Sequence, residues 1–227
     1  MIFKGLPMTS IKAVIFDLDD TLIHSGINYK EIKSNMIEFL VKAGVDSSLL
    51  KEDMPNIKII GVAVEDLRKK GVPESAVKKV LHKVNAILDE AEMKSLDDAK
   101  LMENALEVLE ILKKRGLKVG VVTNGCRKYA DKVTKLFSLE KYVDALIARD
   151  DVPSPKPSPG PLLKALEILC VPADKAVFVG DHWIDAVCAK KAGVKFIFFK
   201  SKKWDIECNE GIHDEVVDDL RTLITLI

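Results

Sequence analysis

The stretch KAVIFDLDDTL, residues 12–22, decides how the chain is read. Four apolar residues, Ala13 to Phe16, run directly into Asp17, Leu18, Asp19, Asp20 and Thr21. A short apolar run bounded by turn-forming residues predicts a strand buried on both faces. Carboxylates at the end of such a strand are costly unless something offsets their charge. Asp17 and Asp19 stand two apart, so on an extended backbone their side chains share a face. Asp20 falls between them in parity and reads as turn chemistry.

Four more segments read as strands: LKVGVVT (117–123), DALIA (144–148), KAVFVG (175–180) and KFIFFK (195–200). Helical patterns separate them. Residues 101–115 carry Ala105, Leu109 and Leu112 at helical spacing, with Gly116 as a stop signal. Residues 159–170 open on Pro-Gly-Pro, and residues 184–192 end at Gly193. Strands alternating with helices predict an α/β chain, a Rossmann-like parallel sheet with helices on both faces. One interval breaks the alternation, with helical signals and no clear strand. Residues 29–43 form one helical pattern, DSSLLKEDM (46–54) opens a second and residues 62–70 a third, while a long fourth begins with Pro73 at its first position. The expected organisation is a core built from 1–24 and 99–227, with a small helical cap inserted at 25–98.

At 227 residues the chain is long enough to bury a sizeable core, and its 35 basic residues balance 35 acidic ones. That balance points away from nucleic acid and from an anionic membrane surface as partners. No apolar run reaches a membrane span, and the N-terminal segment MIFKGLPMTSIK lacks the sustained apolar stretch of a signal peptide. Cys126, Cys170, Cys188 and Cys208 form no CxxC pair and read as free thiols. A cytoplasmic location is expected.

Polar residues concentrate where each strand ends. The first finishes in Asp17 and Asp19, the second in Thr123, Asn124 and Gly125, and the fourth in Asp181, with Asp185 just beyond. The third leads into RDDVPSPKPSP, which holds Lys156 between two prolines. In a parallel sheet these ends lie along one edge, where ligands bind. Such a set suits phosphoryl transfer. A carboxylate can attack phosphorus and carry the group covalently. A phosphate dianion nevertheless repels it, by about 4 kcal/mol at ~4 Å and an effective dielectric near 20. Mg²⁺ held by carboxylates and a fixed lysine would offset that repulsion, and a threonine would hydrogen-bond a phosphoryl oxygen.

These residues resemble the motifs of the haloacid-dehalogenase-like (HAD) hydrolase superfamily. FDLDDTL is similar to its first motif, VVTNG to its second, PKPSPGP to its third and GDHWIDAVCAKKAG to its fourth, in the same order. The closing DEVVDDLRTLITLI resembles the last strand and helix of these domains. The resemblance implies a phosphoglycolate phosphatase-like member with a C1-type cap, acting on a small phosphorylated metabolite with Mg²⁺. It implies Asp17 as nucleophile and metal ligand. Asp19 would be the general acid and base, with its backbone carbonyl on the metal. Thr123, Asn124 and Lys156 would bind phosphate, Asp181 would be a further metal ligand, and Asp185 would support the metal site or pair with Lys156. Dehalogenases of the family lack the second acid of the first motif, whereas Asp19 is present. The family usually has a small polar residue after the Gly-Asp of its fourth motif, where this chain has His182.

A phosphomutase uses the same core, and no single residue separates it from a hydrolase. A receiver-type signalling module also combines an acid pair, a threonine and a lysine on a doubly wound sheet. It needs only about half this length, however, and carries its acceptor on a later strand. No GxGxxG opens a helix after a strand, which disfavours dinucleotide binding.

Overall fold

A computed structural model describes residues 11–200 and 213–227. The N-terminal decapeptide of the signal-peptide reading and Cys208 lie outside the described residues. The contacts divide the chain after Ser25 and after Asp97 into two compact units.

The first unit is built on strands β1 (Ala13–Phe16), β4 (Lys118–Val122), β5 (Ala145–Ile147), β6 (Ala176–Gly180), β7 (Lys195–Phe199) and β8 (Glu215–Val217). They form one sheet in the order β5-β4-β1-β6-β7-β8, and every neighbouring pair is parallel. The central strands are continuous apolar runs because both faces are covered. Ala13, Ile15, Phe178 and Phe196 pack with Leu162, Ala165 and Leu169 of helix α6 (Gly160–Leu169) and with Ala186 and Ala189 of α7 (Trp183–Ala192). The alternating residues Val14, Phe16, Val177 and Val179 point to the other face and are equally buried. From β1 the chain winds out through β4 and β5, then crosses back to build β6, β7 and β8 on the other side. The winding reverses at β1, and the crevice beyond the strand ends opens there.

The second unit, Gly26–Asp97, is helical: α1 (Tyr29–Lys42), α2 (Asn56–Lys69) and α3 (Glu74–Lys94). Met36 and Leu40 of α1, Ile59, Ala63 and Leu67 of α2, and Val77 and Val84 of α3 share one apolar core. The spacing of four within α1 and α2 gives each helix a single apolar stripe.

Several elements differ from the expectation. The helix expected from 101 is α4, Ala105–Lys114; Lys100–Leu101 instead form a short strand, β3, antiparallel to β2 (Ile23–His24). Two residues carry no period, so this short ladder leaves no trace in the sequence pattern. DSSLLKEDM folds only as a single 3₁₀ turn, Ser47–Leu49, while α2 starts at Asn56, six residues before the expected helix. Pro73 caps α3 from outside rather than occupying its first turn. Helix α5 (Arg127–Leu136) was not foreseen, whereas β8 and a short α8 (Leu223–Leu226) fall where the last strand and helix were expected.

Candidate active site

The pairing of β1 extends one residue past the strand, since the Asp17 N–H donates to the Val179 carbonyl at 2.8 Å. This fixes the Asp17 backbone beside β6. Its carboxylate meets the Lys156 ammonium, with Nζ 2.6 Å from Asp17 Oδ1. The same Nζ lies 2.7 Å from Asp185 Oδ1 and donates to the Val122 carbonyl at 3.1 Å. Lys156 is 1% exposed, so protein acceptors replace water around its ammonium: hydrogen bonds to Asp17 Oδ1 and the Val122 carbonyl, and an ion pair with Asp185. Asn124 holds this lysine's backbone from both sides. Its Nδ2 donates to the Lys156 carbonyl and its Oδ1 accepts from the Lys156 N–H, each at 2.9 Å. The Asn124 side chain, foreseen among phosphate-binding groups, is thus engaged in setting the lysine's position. The Lys156–Pro157 peptide is cis.

Asp181 follows β6 directly, and Asp185 sits in the first turn of α7. His182 caps that helix: its Nδ1 accepts from the Ile184 N–H at 3.4 Å, while Asp185 Oδ2 accepts from the His182 N–H at 3.1 Å. Nδ1 can therefore do what the oxygen of a small polar residue does at this position. Burial lowers the His182 pKa, which favours the neutral ring that can accept. Gly180 is required by close approach. A Cβ there would stand 2.7 Å from Asp185 Oδ2 and 2.8 Å from its Cβ, so any side chain would push the buried carboxylate away.

Asp17, Asp181 and Asp185 are all buried, and each offers an oxygen within 4.8 Å of the others. Burial pushes the Asp17 carboxyl up, the charges of Asp185 and Asp19 add to that against the opposing pull of Lys156, and it sits at about 8. Asp181 is pushed up to about 9 by burial and then by Asp17, Asp185 and Asp20. Burial alone would lower the Lys156 pKa, but Asp17 and Asp185 outweigh it and raise it. One ammonium cannot neutralise three carboxylates. Each additional like-charge contact at this range costs about 3 kcal/mol at an effective dielectric near 20. A small buried set of hard oxygen donors with surplus negative charge fits a divalent cation such as Mg²⁺.

Asp19 faces a different group of residues. Its Oδ1 accepts from the Tyr129 hydroxyl at 2.6 Å, and its Oδ2 accepts from Thr123 Oγ1 at 3.2 Å. Thr123 Oγ1 in turn accepts from the Gly125 N–H at 2.9 Å. Its side-chain carboxylate is absent from the three-acid cluster. Asp20 takes a left-handed φ of 58°, and its Oδ1 lies 3.0 Å from His24 Nδ1. It nonetheless adds to the field at Asp181, which parity alone would not suggest.

The candidate site residues singled out in the sequence therefore belong to the ends of β1, β4 and β6, the loop after β5 and, for Asp185, the first turn of α7. Tyr129 was missed. Tyr129 and Val133, spaced i, i+4 after the Asn-Gly turn, were the available signal for the helix that carries it.

Lys156→Met leaves two buried carboxylates without their counter-charge. It is expected to cost about 3–5 kcal/mol in chemical denaturation at pH 7. Asp17 and Asp181 hold protons in the native state up to about 8 and 9, far above their unfolded value of 3.8. Between those limits the native state binds more protons, so metal-free stability falls as pH rises, by up to about 1.4 kcal/mol per pH unit for each group. Thermal unfolding from pH 4 to 9 should show this decline in chelator. Added divalent cation should flatten it, and Asp181→Asn should reduce it.

Residues 14–199 match the family model of the haloacid dehalogenase-like hydrolases. A pyrophosphatase named PpaX from Bacillus thuringiensis is 31% identical over 185 residues, covering 82% of this chain and 81% of that protein. The PpaX of Caldanaerobacter subterraneus subsp. tengcongensis is 38% identical over 132 residues, covering 56% of this chain and 59% of its own length, less than two thirds. The crystal structure of a HAD-superfamily hydrolase of subfamily IA, variant 1, from Geobacter sulfurreducens aligns with a TM-score of 0.61 at 25% identity, covering 96% of each chain. Among the described residues no helix is long and apolar enough to cross a membrane. With its ordered motifs at the ends of a parallel sheet and a family match over most of its length, the chain belongs to the haloacid dehalogenase-like hydrolases.

Proposed function

We propose that this protein is a Mg²⁺-dependent phosphatase that hydrolyses a small phosphorylated substrate through an aspartyl-phosphate on Asp17. The observation that carries the reading is the buried trio Asp17, Asp181 and Asp185 around the Lys156 ammonium. Asp17 and Asp181, with the Asp19 backbone carbonyl, would hold Mg²⁺, and Asp185 would support the site while pairing with Lys156. Bound there, Mg²⁺ supplies the positive charge that offsets the carboxylates and the incoming phosphate dianion.

The chain's own groups then divide the work. The ionised Asp17 carboxylate attacks phosphorus, and the P–O bond to the leaving group breaks. Asp19 gives its proton to the departing oxygen. It later takes one from the water that attacks the aspartyl-phosphate, restoring Asp17 and releasing phosphate. Lys156 and Thr123 hold the phosphoryl oxygens, and Asn124 keeps Lys156 where that requires. The helical unit is assigned the part of a cap that selects the substrate and excludes water. Cys170 and Cys188 are free thiols, which supports a cytoplasmic setting.

The relatives named pyrophosphatase PpaX put pyrophosphate among the substrates to try first. The test is a panel of small phosphomonoesters and pyrophosphate, assayed with and without Mg²⁺. Turnover should require Mg²⁺, and Asp17→Asn should lower kcat on the order of a thousand-fold or more. Failure to release phosphate from any member of the panel would sink the reading, and an active Asp17→Asn would sink the covalent step.

A further inference from the structure

The geometry points to Tyr129 as a positioning residue that anchors Asp19 by one carboxylate oxygen and leaves the other to handle the proton. This rests on the phosphatase reading, in which Asp19 serves as acid and base. Tyr129 is the third residue of α5, and helical side chains lean toward the N-terminus of their helix, so its ring reaches back over the first turn. The ring is fully buried, and its hydroxyl stands 2.6 Å from Asp19 Oδ1. A buried tyrosine hydroxyl needs a partner, and a carboxylate is a strong one.

The space for this contact depends on Gly125. A Cβ at that position would come within 2.9 Å of Tyr129 Cδ1 and 3.2 Å of Thr123 Oγ1, so only glycine lets the ring lie against the turn. The helix that carries Tyr129 is itself tied down. The Arg127 N–H donates to Asp150 Oδ2 at 2.9 Å, its guanidinium pairs with Asp151, and its Nη2 donates to the Leu146 carbonyl at 2.8 Å.

Thr123 and Tyr129 differ in what else they must do. The single hydroxyl proton of Thr123 points to Asp19 Oδ2 at 3.2 Å, and it cannot bond a phosphoryl oxygen at the same time. When substrate takes that proton, Oδ2 loses this donor while Oδ1 stays held by Tyr129. The anchored carboxylate then keeps its orientation through both proton transfers.

Tyr129→Phe keeps the ring and removes the donor. The experiment measures kcat/KM, which reports steps up to the first phosphoryl transfer, across a series of substituted phenyl phosphates. A misplaced acid should matter most where the leaving oxygen needs a proton. The expected loss is about tenfold or more for unsubstituted phenyl phosphate, and about twofold for p-nitrophenyl phosphate, whose leaving group departs as an anion. Gly125→Ala, which displaces the ring, should steepen the dependence in the same direction. An equal loss along the whole series, or none, overturns the proposal. If the wild-type protein hydrolyses no member of this series, the Asp19 carboxyl ¹³C resonance decides the contact, while the phosphatase reading stands or falls on the wider panel of phosphomonoesters and pyrophosphate. Tyr129→Phe must shift it, and an unshifted resonance overturns the anchoring role.

Discussion

The ammonium of Lys156, sealed between Asp17 and Asp185, is the interaction on which the site depends. Burying an ion of either sign alone would cost several kcal/mol, so neither the acids nor the lysine is tenable without the other. The surrounding structure serves this pair. The Asn124 amide fixes the lysine's backbone, the bare Gly180 lets Asp185 approach β6, and the His182 cap holds the first turn of α7 in place. The lysine answers only part of the negative charge. That shortfall is what the proposed divalent cation would offset.

A division of labour follows between two carboxylates only two residues apart. Asp17 lies in the charged cluster, where burial and its acidic neighbours govern it. Asp19 lies among neutral hydroxyls, Tyr129 and Thr123, which orient it by hydrogen bonds. Two acids of the same chemical type are thereby given separate environments, the arrangement that acid–base and nucleophilic roles require of neighbouring carboxylates.

Much of this was legible in the sequence because the strands are buried on both faces and announce themselves as apolar runs. The polar residues that end those runs are conspicuous, so Asp17, Thr123 and Asp181 were found one strand at a time, and the parallel sheet brings them to one edge. What escaped notice lacked such a signal. Helix α5 is short and strongly charged, with Tyr129 the one aromatic in it, and nothing in the pattern says that its hydroxyl meets an acid 110 residues away. Asn124 read as a phosphate contact, because a reciprocal bond to the backbone of a residue 32 positions later has no local signature. Local pattern reports what a residue is next to in the chain, and these contacts are between distant segments.

The small β2–β3 ladder has a consequence for how the chain is assembled. Ile23 pairs with Leu101 and His24 with Lys100, and the Met102 N–H donates to the Leu22 carbonyl at 2.9 Å. The helical unit therefore leaves and re-enters through two strands that are already hydrogen-bonded to each other. For the sheet, the excursion is a loop whose ends are closed locally, and its closure entropy grows only with the logarithm of its length, by about 0.6 kcal/mol for each doubling. β1 and β4 can therefore pair whether the inserted segment is long, short or replaced. The part of the molecule assigned to choosing the substrate is free to diverge while the sheet that performs the chemistry stays the same.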